Sequence, residues 1–300
     1  MSYSSKVKNE ICRQTKLKPC CMAAEAYGAL LFCNTFSPSE VRIVTENRAF
    51  ASRIEWLIGE LFGFGFDSVS GDPEGKGKLV LSVTDASHID AVLERYGGGA
   101  EALLAHHVNL GVLEEDCCRV SFIRGAFLAG GSVTDPGKRY HLELVTSHYN
   151  VARETFSLLG ELGFDPGATS RAGNYITYFK QSSAIEDLLT TIGAPIGAMD
   201  MMTAKIEKEM RNSVNRKVNC DTANLEKMVN AAVKQVAAIE KLKESGRFEM
   251  LSDKLKQTAE ARVASPEASL FELAGSLDPP VTKSCLSHRL AKLVELAEQG

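Results

Sequence analysis

The stretch CCMAAEAYGALLF, residues 20–32, decides the fold, because a close copy of it, CCRVSFIRGAFLA, recurs at residues 117–129. The shared positions, including both cysteine pairs and the glycine, lie 97 residues apart. A glycine inside a helix costs about 1 kcal/mol relative to alanine, so its recurrence needs a reason. We infer an internal duplication in which two equivalent helices pack backbone to backbone at Gly28 and Gly125.

Four further segments of each copy correspond in the same order. The pairs are VRIVT (41–45) with LELVT (142–146), WLIGEL (56–61) with SLLGEL (157–162), KLVLSV (78–83) with YITYFK (175–180), and SHIDAVLERYG (87–97) with SAIEDLLTTIG (183–193). Their periodicity predicts helix, short strands, helix, strand pair and helix in each copy. The sequence therefore predicts an α+β domain with pseudo-twofold symmetry over residues 1–200, built from repeats at about 18–100 and 115–197.

Composition and charge narrow the class of protein. The chain has 300 residues, 44% of them hydrophobic, which is enough for more than one core. It contains no long apolar run, and its first residues are polar, so we expect no membrane partner and a cytoplasmic, nucleoid-associated location. The formal net charge is −4, with 18 basic and 24 acidic residues in 1–200 but 16 and 14 in 201–300. This balance argues against bulk polyanion binding and leaves room for a localised basic face.

Eight cysteines are scattered along the chain. In a chain of this size and expected location, reduced thiols are the better interpretation than a disulfide framework. The adjacent pairs Cys20–Cys21 and Cys117–Cys118 lack the spacing of a known zinc site. We therefore expect small buried side chains, with no metal site and no cofactor.

Residues 201–218 are expected to form a linker helix. Its apolar stripe at spacing four is expected to dock on another surface and consists of Ile206, Met210, Val214 and Val218. Basic residues on the other faces are candidate phosphate contacts, namely Lys205, Lys208, Arg211 and Arg216. The alternative is a linker whose charges only meet water. A second helix is expected over 219–246, capped by Asp221 or Thr222 and ended by Gly246.

The last fifty residues predict three short helices. Ser252 is a candidate cap of the first, Ser265 with Pro266 begins the second, and DPP at 278–280 separates it from a third capped by Thr282. This layout is typical of a helix-turn-helix, which makes 219–300 an all-α candidate DNA-binding domain. The residues predicted to face DNA are Thr282, Lys283, Ser284, Ser287, His288, Arg289 and Lys292. The alternative is a helical bundle whose polar face is solvated.

The duplicated helices resemble those of the LAGLIDADG homing endonucleases. The resemblance implies two saddle-shaped sheets above a pair of central helices, each helix ending in an acid that binds a catalytic metal. The corresponding positions in this chain are Cys33 and Gly130, neither of which suits Mg²⁺. Asp135, five residues further on, is expected to form a turn. We therefore expect no nuclease activity and no enzyme.

The order of segments over nearly the whole chain resembles the WhiA family of bacterial sporulation regulators. The resemblance rests on R-N-x-x-N-R-x-x-N-C-x-x-A-N (211–224), P-x-A-S-L-x-E-L (266–273) and P-P-x-x-K-S-x-x-x-H-R-L (279–290). It implies a DNA-binding transcription regulator of cell division, chromosome segregation or sporulation, with promoter DNA as its partner. One departure is Asn34-Thr35, where the family has Gly-Ser. Two alternatives remain, a scaffold that grips a sigma factor or division protein through the saddle and a metal-dependent nuclease.

Overall fold

The computed structural model describes residues 1–72, 75, 77–97 and 106–299. It forms two compact units, Met1–Glu209 and Met210–Gly300. The end of the predicted first repeat, residues 98–100, lies outside the described residues.

The first unit contains two copies of the same succession of elements, preceded by helix α1 (Tyr3–Ile11). The first copy consists of α2 (Pro19–Leu31), β1 (Thr35–Phe36), β2 (Val41–Thr45), α3 (Arg48–Phe62), β3 (Ser68–Ser70), β4 (Leu79–Val83) and α4 (Ala86–Arg95). The second consists of α5 (Asp116–Gly130), β5 (Gly131–Val133), β6 (Leu142–Thr146), α6 (Tyr149–Glu161), β7 (Gly167–Arg171), β8 (Asn174–Phe179) and α7 (Ser182–Ile192).

Each copy forms its own antiparallel four-stranded sheet. The strand orders are equivalent, β1-β2-β4-β3 in the first and β5-β6-β8-β7 in the second. The registers are equivalent too, with Ile43 opposite Leu81 and Leu144 opposite Thr177. Since Ile43 is buried while Arg42 is exposed, each sheet presents one face to the core and one outward. The predicted α+β duplication is confirmed.

Helices α2 and α5 form the centre of this unit. Nine of the 13 residues of α2 are buried, and α5 is buried to a similar extent. A Cβ atom added to Gly28 would lie 2.1 Å from the carbonyl oxygen of Phe122, and one added to Gly125 would lie 1.9 Å from that of Glu25. The two helix backbones therefore touch at both glycines. This close approach explains why glycine, which is costly inside a helix, occupies both positions.

An ion triad is buried beside the helix pair. Glu25 of α2, which is fully buried, accepts hydrogen bonds from Arg53 of α3 through both carboxylate oxygens, one of them 2.9 Å from Nη2. Nη1 of Arg124 in α5 lies 3.3 Å from the same carboxylate. The remaining donors reach backbone oxygens, since Arg53 donates to Gln14 at 2.6 Å and Arg124 to Ile192 at 2.7 Å. The triad thus joins three helices with its polar groups paired.

One helix, α8 (Pro195–Glu244), occupies the region where two were expected. The predicted cap at Asp221 or Thr222 is wrong, because no glycine or proline occurs between 198 and 245 to interrupt the helix. The chain leaves the helix as predicted through Gly246, whose φ of 72° is left-handed. The stripe of Ile206, Met210, Val214 and Val218 is 55% to 66% exposed, so the described part of the chain does not cover it, and docking on another molecule stays a prediction.

Three short helices follow in the second unit, α9 (Asp253–Ala264), α10 (Leu270–Ser276) and α11 (Lys283–Glu298). They enclose a core with the end of α8, and the fully buried members of this core are Ile239, Leu242, Ala259, Leu273, Leu286, Leu290 and Leu293.

Local caps set the ends of these helices. Thr282 caps α11 as predicted, with the Cys285 N–H donating to its Oγ1 at 3.2 Å. Ser252 occupies the N-cap position of α9 but makes no side-chain bond there. The predicted cap Ser265 is wrong, since it lies at the end of α9 and Ser269 caps α10. Ser269 and Glu272 form a reciprocal capping box, in which each side chain accepts a hydrogen bond from the backbone N–H of the other residue. The box thus satisfies two N–H groups at the start of α10, whereas Pro266, which follows Ser265, has no N–H group.

Candidate nucleic-acid interface

Helix α11 separates apolar from polar residues sharply. Its leucines at 286, 290 and 293 are buried against α9 and α10. The segment 282–294 contains no Asp or Glu, and Lys283, Ser284, Ser287 and His288 are exposed on it. A positively charged helix start with hydroxyl and imidazole groups on one face suits the edges of bases and phosphate oxygens.

Four of the seven predicted DNA contacts come together in the structure. Lys283, Ser284, Ser287 and His288 line one surface depression together with Leu270, the first residue of α10. We call these four residues the α11 patch. Because it combines a cation with donors and acceptors on one rigid helix face, the patch can meet several neighbouring polar groups of a ligand at once.

The other three predicted contacts make bonds within the protein. The Thr282 hydroxyl accepts the capping hydrogen bond described above. Arg289 is half-buried, with its Nη1 3.5 Å from Oγ1 of Thr258 in α9. Nζ of Lys292 lies 3.0 Å from a carboxylate oxygen of Glu295. These side chains therefore lie at the edges of the α11 patch rather than inside it.

Two side-chain-to-backbone anchors hold the helices around α11, one from buried Arg262 and one from half-buried Gln257, and neither was predicted from the sequence. Arg262, 2% exposed, donates from Nη1 to the carbonyl oxygens of Ala268 at 2.8 Å and Pro266 at 3.3 Å, and burial lowers its pKa. Nε2 of Gln257 donates to the carbonyl oxygen of Asp278 at 2.8 Å. They fix the loops before and after α10. The sequence signal was an arginine in the last turn of α9, where loop carbonyls need donors.

Phe271 was also missed and is 78% exposed, next to Leu270 of the depression. The helical spacing of α10 turns Leu273 and Ala274 into the core and leaves Phe271 outside. That outward position was readable from the sequence. An exposed aromatic ring beside a polar patch offers an apolar contact for a ligand.

The basic residues of α8 differ in how accessible they are to a phosphate ligand. Arg211 and Arg216 are exposed, and Lys205 is half-buried. Lys208 is engaged, because its Nζ donates to the Pro136 carbonyl oxygen at 2.8 Å and lies 4.7 Å from the centre of the Tyr140 ring.

The positions of the endonuclease acids have a different chemistry here. Sγ of Cys33 donates to the carbonyl oxygen of Thr35 at 3.0 Å, and burial raises the pKa of Cys33 to about 12, so the thiol is neutral at physiological pH. A Cβ on Gly130 would lie 2.5 Å from the Val145 carbonyl oxygen, which leaves no room for a side chain. Asp135 accepts a bond from Gly137 N at 2.8 Å in the expected turn. A hard divalent cation finds no carboxylate at either aligned position.

Comparison with known proteins agrees with this division of the chain. Residues 119–211 match the WhiA LAGLIDADG-like domain, and residues 214–297 match the WhiA C-terminal HTH domain. Over its whole length the chain is 38% identical to a probable cell division protein WhiA of Ruminiclostridium cellulolyticum, covering 98% of that protein. The chain belongs to the WhiA family. Its identity to the protein of the same description from Clostridium novyi is 37%, again over the whole chain.

Solved structures of WhiA show the same fold. Full-length WhiA from Thermotoga maritima superposes with a TM-score of 0.60 at 22% identity, covering 100% of this chain and 99% of that one. The N-terminal LAGLIDADG domain of WhiA superposes with a TM-score of 0.50 at 18% identity, covering 64% of this chain and 92% of that one. The predicted WhiA resemblance and the predicted combination of folds are both confirmed. Within the described residues, the helices include none long and apolar enough to cross a membrane.

Proposed function

We propose that this protein is a sequence-specific DNA-binding transcription regulator that acts in cell division, chromosome segregation or sporulation. The observation that carries the proposal is the α11 patch, an acid-free polar face at the start of the last helix of a helix-turn-helix. Its relatives are described as probable cell division proteins, which favours the cellular role. The partner is double-stranded promoter DNA, bound by residues 219–300.

Each residue of the patch has a distinct task in this proposal. Lys283, in the first turn of α11, neutralises a phosphate near the positive end of the helix. Ser284, Ser287 and His288 present donors and acceptors to base edges in the major groove. The contacts at the edges of the α11 patch are made by Thr282, Arg289 and Lys292. On binding, the Lys292 ammonium group leaves the Glu295 carboxylate and pairs with a phosphate oxygen. Base contacts supply the sequence preference and phosphate contacts the orientation.

The LAGLIDADG-like domain has a non-catalytic role in this proposal. Cys33 and Gly130 replace the two metal-binding acids, so a cation that would activate water has no anchor there. Arg211 and Arg216 of α8 are the proposed additional phosphate contacts, with Lys205 beside them. Supercoiled plasmid incubated with the protein and Mg²⁺ or Mn²⁺ is expected to stay intact, and metal-dependent nicking would overturn this part.

The proposal is tested by fluorescence anisotropy on full-length protein. A duplex selected from a random pool is compared with a scrambled duplex of equal length, and each is titrated across a range of salt concentrations. Ser287→Ala and His288→Ala are expected to reduce the preference for the selected duplex by about 1 to 3 kcal/mol each if they read bases. Lys283→Ala is expected to weaken both duplexes alike and to lower the salt slope by about one ion.

Lys234→Ala is the matched control for Lys283→Ala. It removes the same charge, but Lys234 pairs with Glu298 at the far end of α11, about 22 Å along the helix. Arg289→Ala is a poorer test, since Arg289 also packs against Thr258. If the patch variants bound both duplexes with wild-type affinity and salt slope, α11 would not be the reading helix.

A second candidate, a scaffold for a sigma factor or division protein, is favoured by the exposed apolar stripe of α8. An apolar stripe at helical spacing without a partner surface is typical of a protein-interaction site. This candidate predicts that the purified partner binds without DNA. Val214→Glu with Val218→Glu would abolish such binding, whereas Lys283→Ala would not. The opposite pattern would exclude the stripe as the docking site.

A further inference from the structure

The cysteine pairs of the two repeats meet at the start of the central helices. Helices α2 and α5 start side by side, although their first residues lie 97 positions apart. The Sγ atoms of Cys20, Cys117 and Cys118 all lie within 4.8 Å of one another. We call these three residues the thiol cluster. Sγ of Cys21 adjoins it, 3.7 Å from the carbonyl oxygen of Cys117.

The expectation that these cysteines are small core side chains does not describe the cluster. Cys20 is exposed, and Cys117 is only partly buried, so hydrophobic burial does not account for their position. Within the described part of the chain, the donor atoms of these three side chains lie close enough together to hold one ion. Spacing along the chain concealed it, because the first repeat supplies one of the three donors and the second repeat supplies two.

The starts of two helices adjoin the cluster. Neither α2 nor α5 has a side-chain cap, since Lys18 and Glu115 at the N-cap positions make no such bond. The first N–H groups of two helices and the positive ends of two helix dipoles therefore lie beside the thiols. Burial raises the pKa of Cys118 to about 12, so this thiol is neutral until a cation offsets the desolvation, while the helix starts and backbone N–H groups support thiolate ligands once the cation is bound.

We propose that the thiol cluster binds one Zn²⁺ ion through the thiolates of Cys20, Cys117 and Cys118, with Cys21 as the fourth ligand. Thiolates are soft donors that select zinc over Mg²⁺ or Ca²⁺. With Zn–S bonds of about 2.3 Å, tetrahedral sulfurs lie about 3.8 Å apart, so each Sγ of the thiol cluster has to move inward by about 1 Å or less. Rotation of the exposed Cys20 side chain supplies most of this movement. Cys21 turns from the Cys117 carbonyl oxygen to the ion.

The ion would tie the two repeats together at the start of their central helices. Each thiol that binds releases its proton to solvent, so binding weakens as the pH falls. The site lies away from the α11 patch in sequence and chemistry, and the inference does not depend on DNA binding.

The test uses full-length protein purified under reducing conditions without chelators. Elemental analysis is expected to find about one zinc per chain, and Co²⁺ added to the stripped protein is expected to give sulfur-to-cobalt charge-transfer absorption and one-to-one binding. Cys20→Ser with Cys117→Ser is expected to lose that absorption and to weaken Zn²⁺ binding at least tenfold. Cys21→Ser is expected to reduce the absorption per bound cobalt. Cys220→Ser with Cys285→Ser is the matched control, because both thiols are exposed and lie outside the cluster.

Thermal unfolding provides a second readout. A chelator is expected to lower the Tm of wild type and of the control, but not that of Cys20→Ser with Cys117→Ser. The inference is overturned if fully reduced wild type takes up neither Zn²⁺ nor Co²⁺, or if the cluster variant binds them as wild type does. It is also overturned if the protein isolated without oxidant carries a disulfide within the cluster, seen as a mass loss of two hydrogens, and no metal.

Discussion

Replacing Gly125 with alanine tests the packing of the central helices. The added Cβ would lie 1.9 Å from the Glu25 carbonyl oxygen and 2.8 Å from the Ala29 nitrogen, and both are backbone atoms of α2. Since backbone cannot turn aside as a side chain can, the helices must separate. Overpacking of this kind costs about 3 kcal/mol, the upper part of its usual range, while alanine returns about 1 kcal/mol of helix propensity. The expected net loss of unfolding free energy is therefore about 2 kcal/mol.

Matched controls exist in the same domain. Gly59 and Gly160 occupy equivalent positions of α3 and α6, and an added Cβ meets nothing within 4 Å at either one. Gly59→Ala and Gly160→Ala are therefore expected to stabilise by up to about 1 kcal/mol each. The same chemical change thus has opposite signs at Gly125 and at the control positions.

Urea unfolding followed by tryptophan fluorescence measures this difference. The chain has one tryptophan, Trp56 in α3, so the signal reports on the duplicated domain alone. With an m value of about 2 kcal/mol/M, Gly125→Ala is expected to lower the midpoint by about 1 M. A midpoint at or above that of wild type would refute the reasoning. So would an equal loss in Gly59→Ala, which would point to a general intolerance of alanine in these helices.

Three further predictions concern charges and caps. Glu25→Gln leaves two buried arginines without their counter-charge and is expected to cost about 3 kcal/mol or more, measured by the same urea assay. Burial and the neighbouring His106 lower the pKa of His148 from 6.5 to about 4. Since the unfolded chain therefore takes up this proton at a higher pH than the folded chain does, stability should fall as the pH drops from 6.5 to about 4. Urea midpoints measured across this range should fall less steeply in His148→Gln than in wild type. Ser269→Ala should lose about 1 kcal/mol in unfolding followed by circular dichroism, and Ser265→Ala almost nothing; equal losses would contradict the assigned cap.

Local and repeated signals made much of the architecture predictable. The 97-residue repeat was visible as residue identity, and it implied two equivalent helices, two equivalent sheets and the close approach at Gly28 and Gly125. The Thr282 cap and the leucines of α11 followed from spacing alone. Where two local signals competed, prediction failed. Ser265 before a proline looked like a cap, yet the capping box at Ser269 satisfies more backbone groups.

The sequence by itself determined the duplication, the types of secondary structure and the family, because each is encoded by neighbouring residues or by direct repetition. Only the tertiary structure decided which distant side chains meet. Glu25 pairs with partners 28 and 99 residues away, and the thiols of Cys20 and Cys117 converge across the repeat. The same holds for Arg289, which the sequence placed toward DNA and the fold turned partly toward α9. Periodicity assigns a residue to a helix face, but the partner of that face depends on packing between elements far apart in the chain.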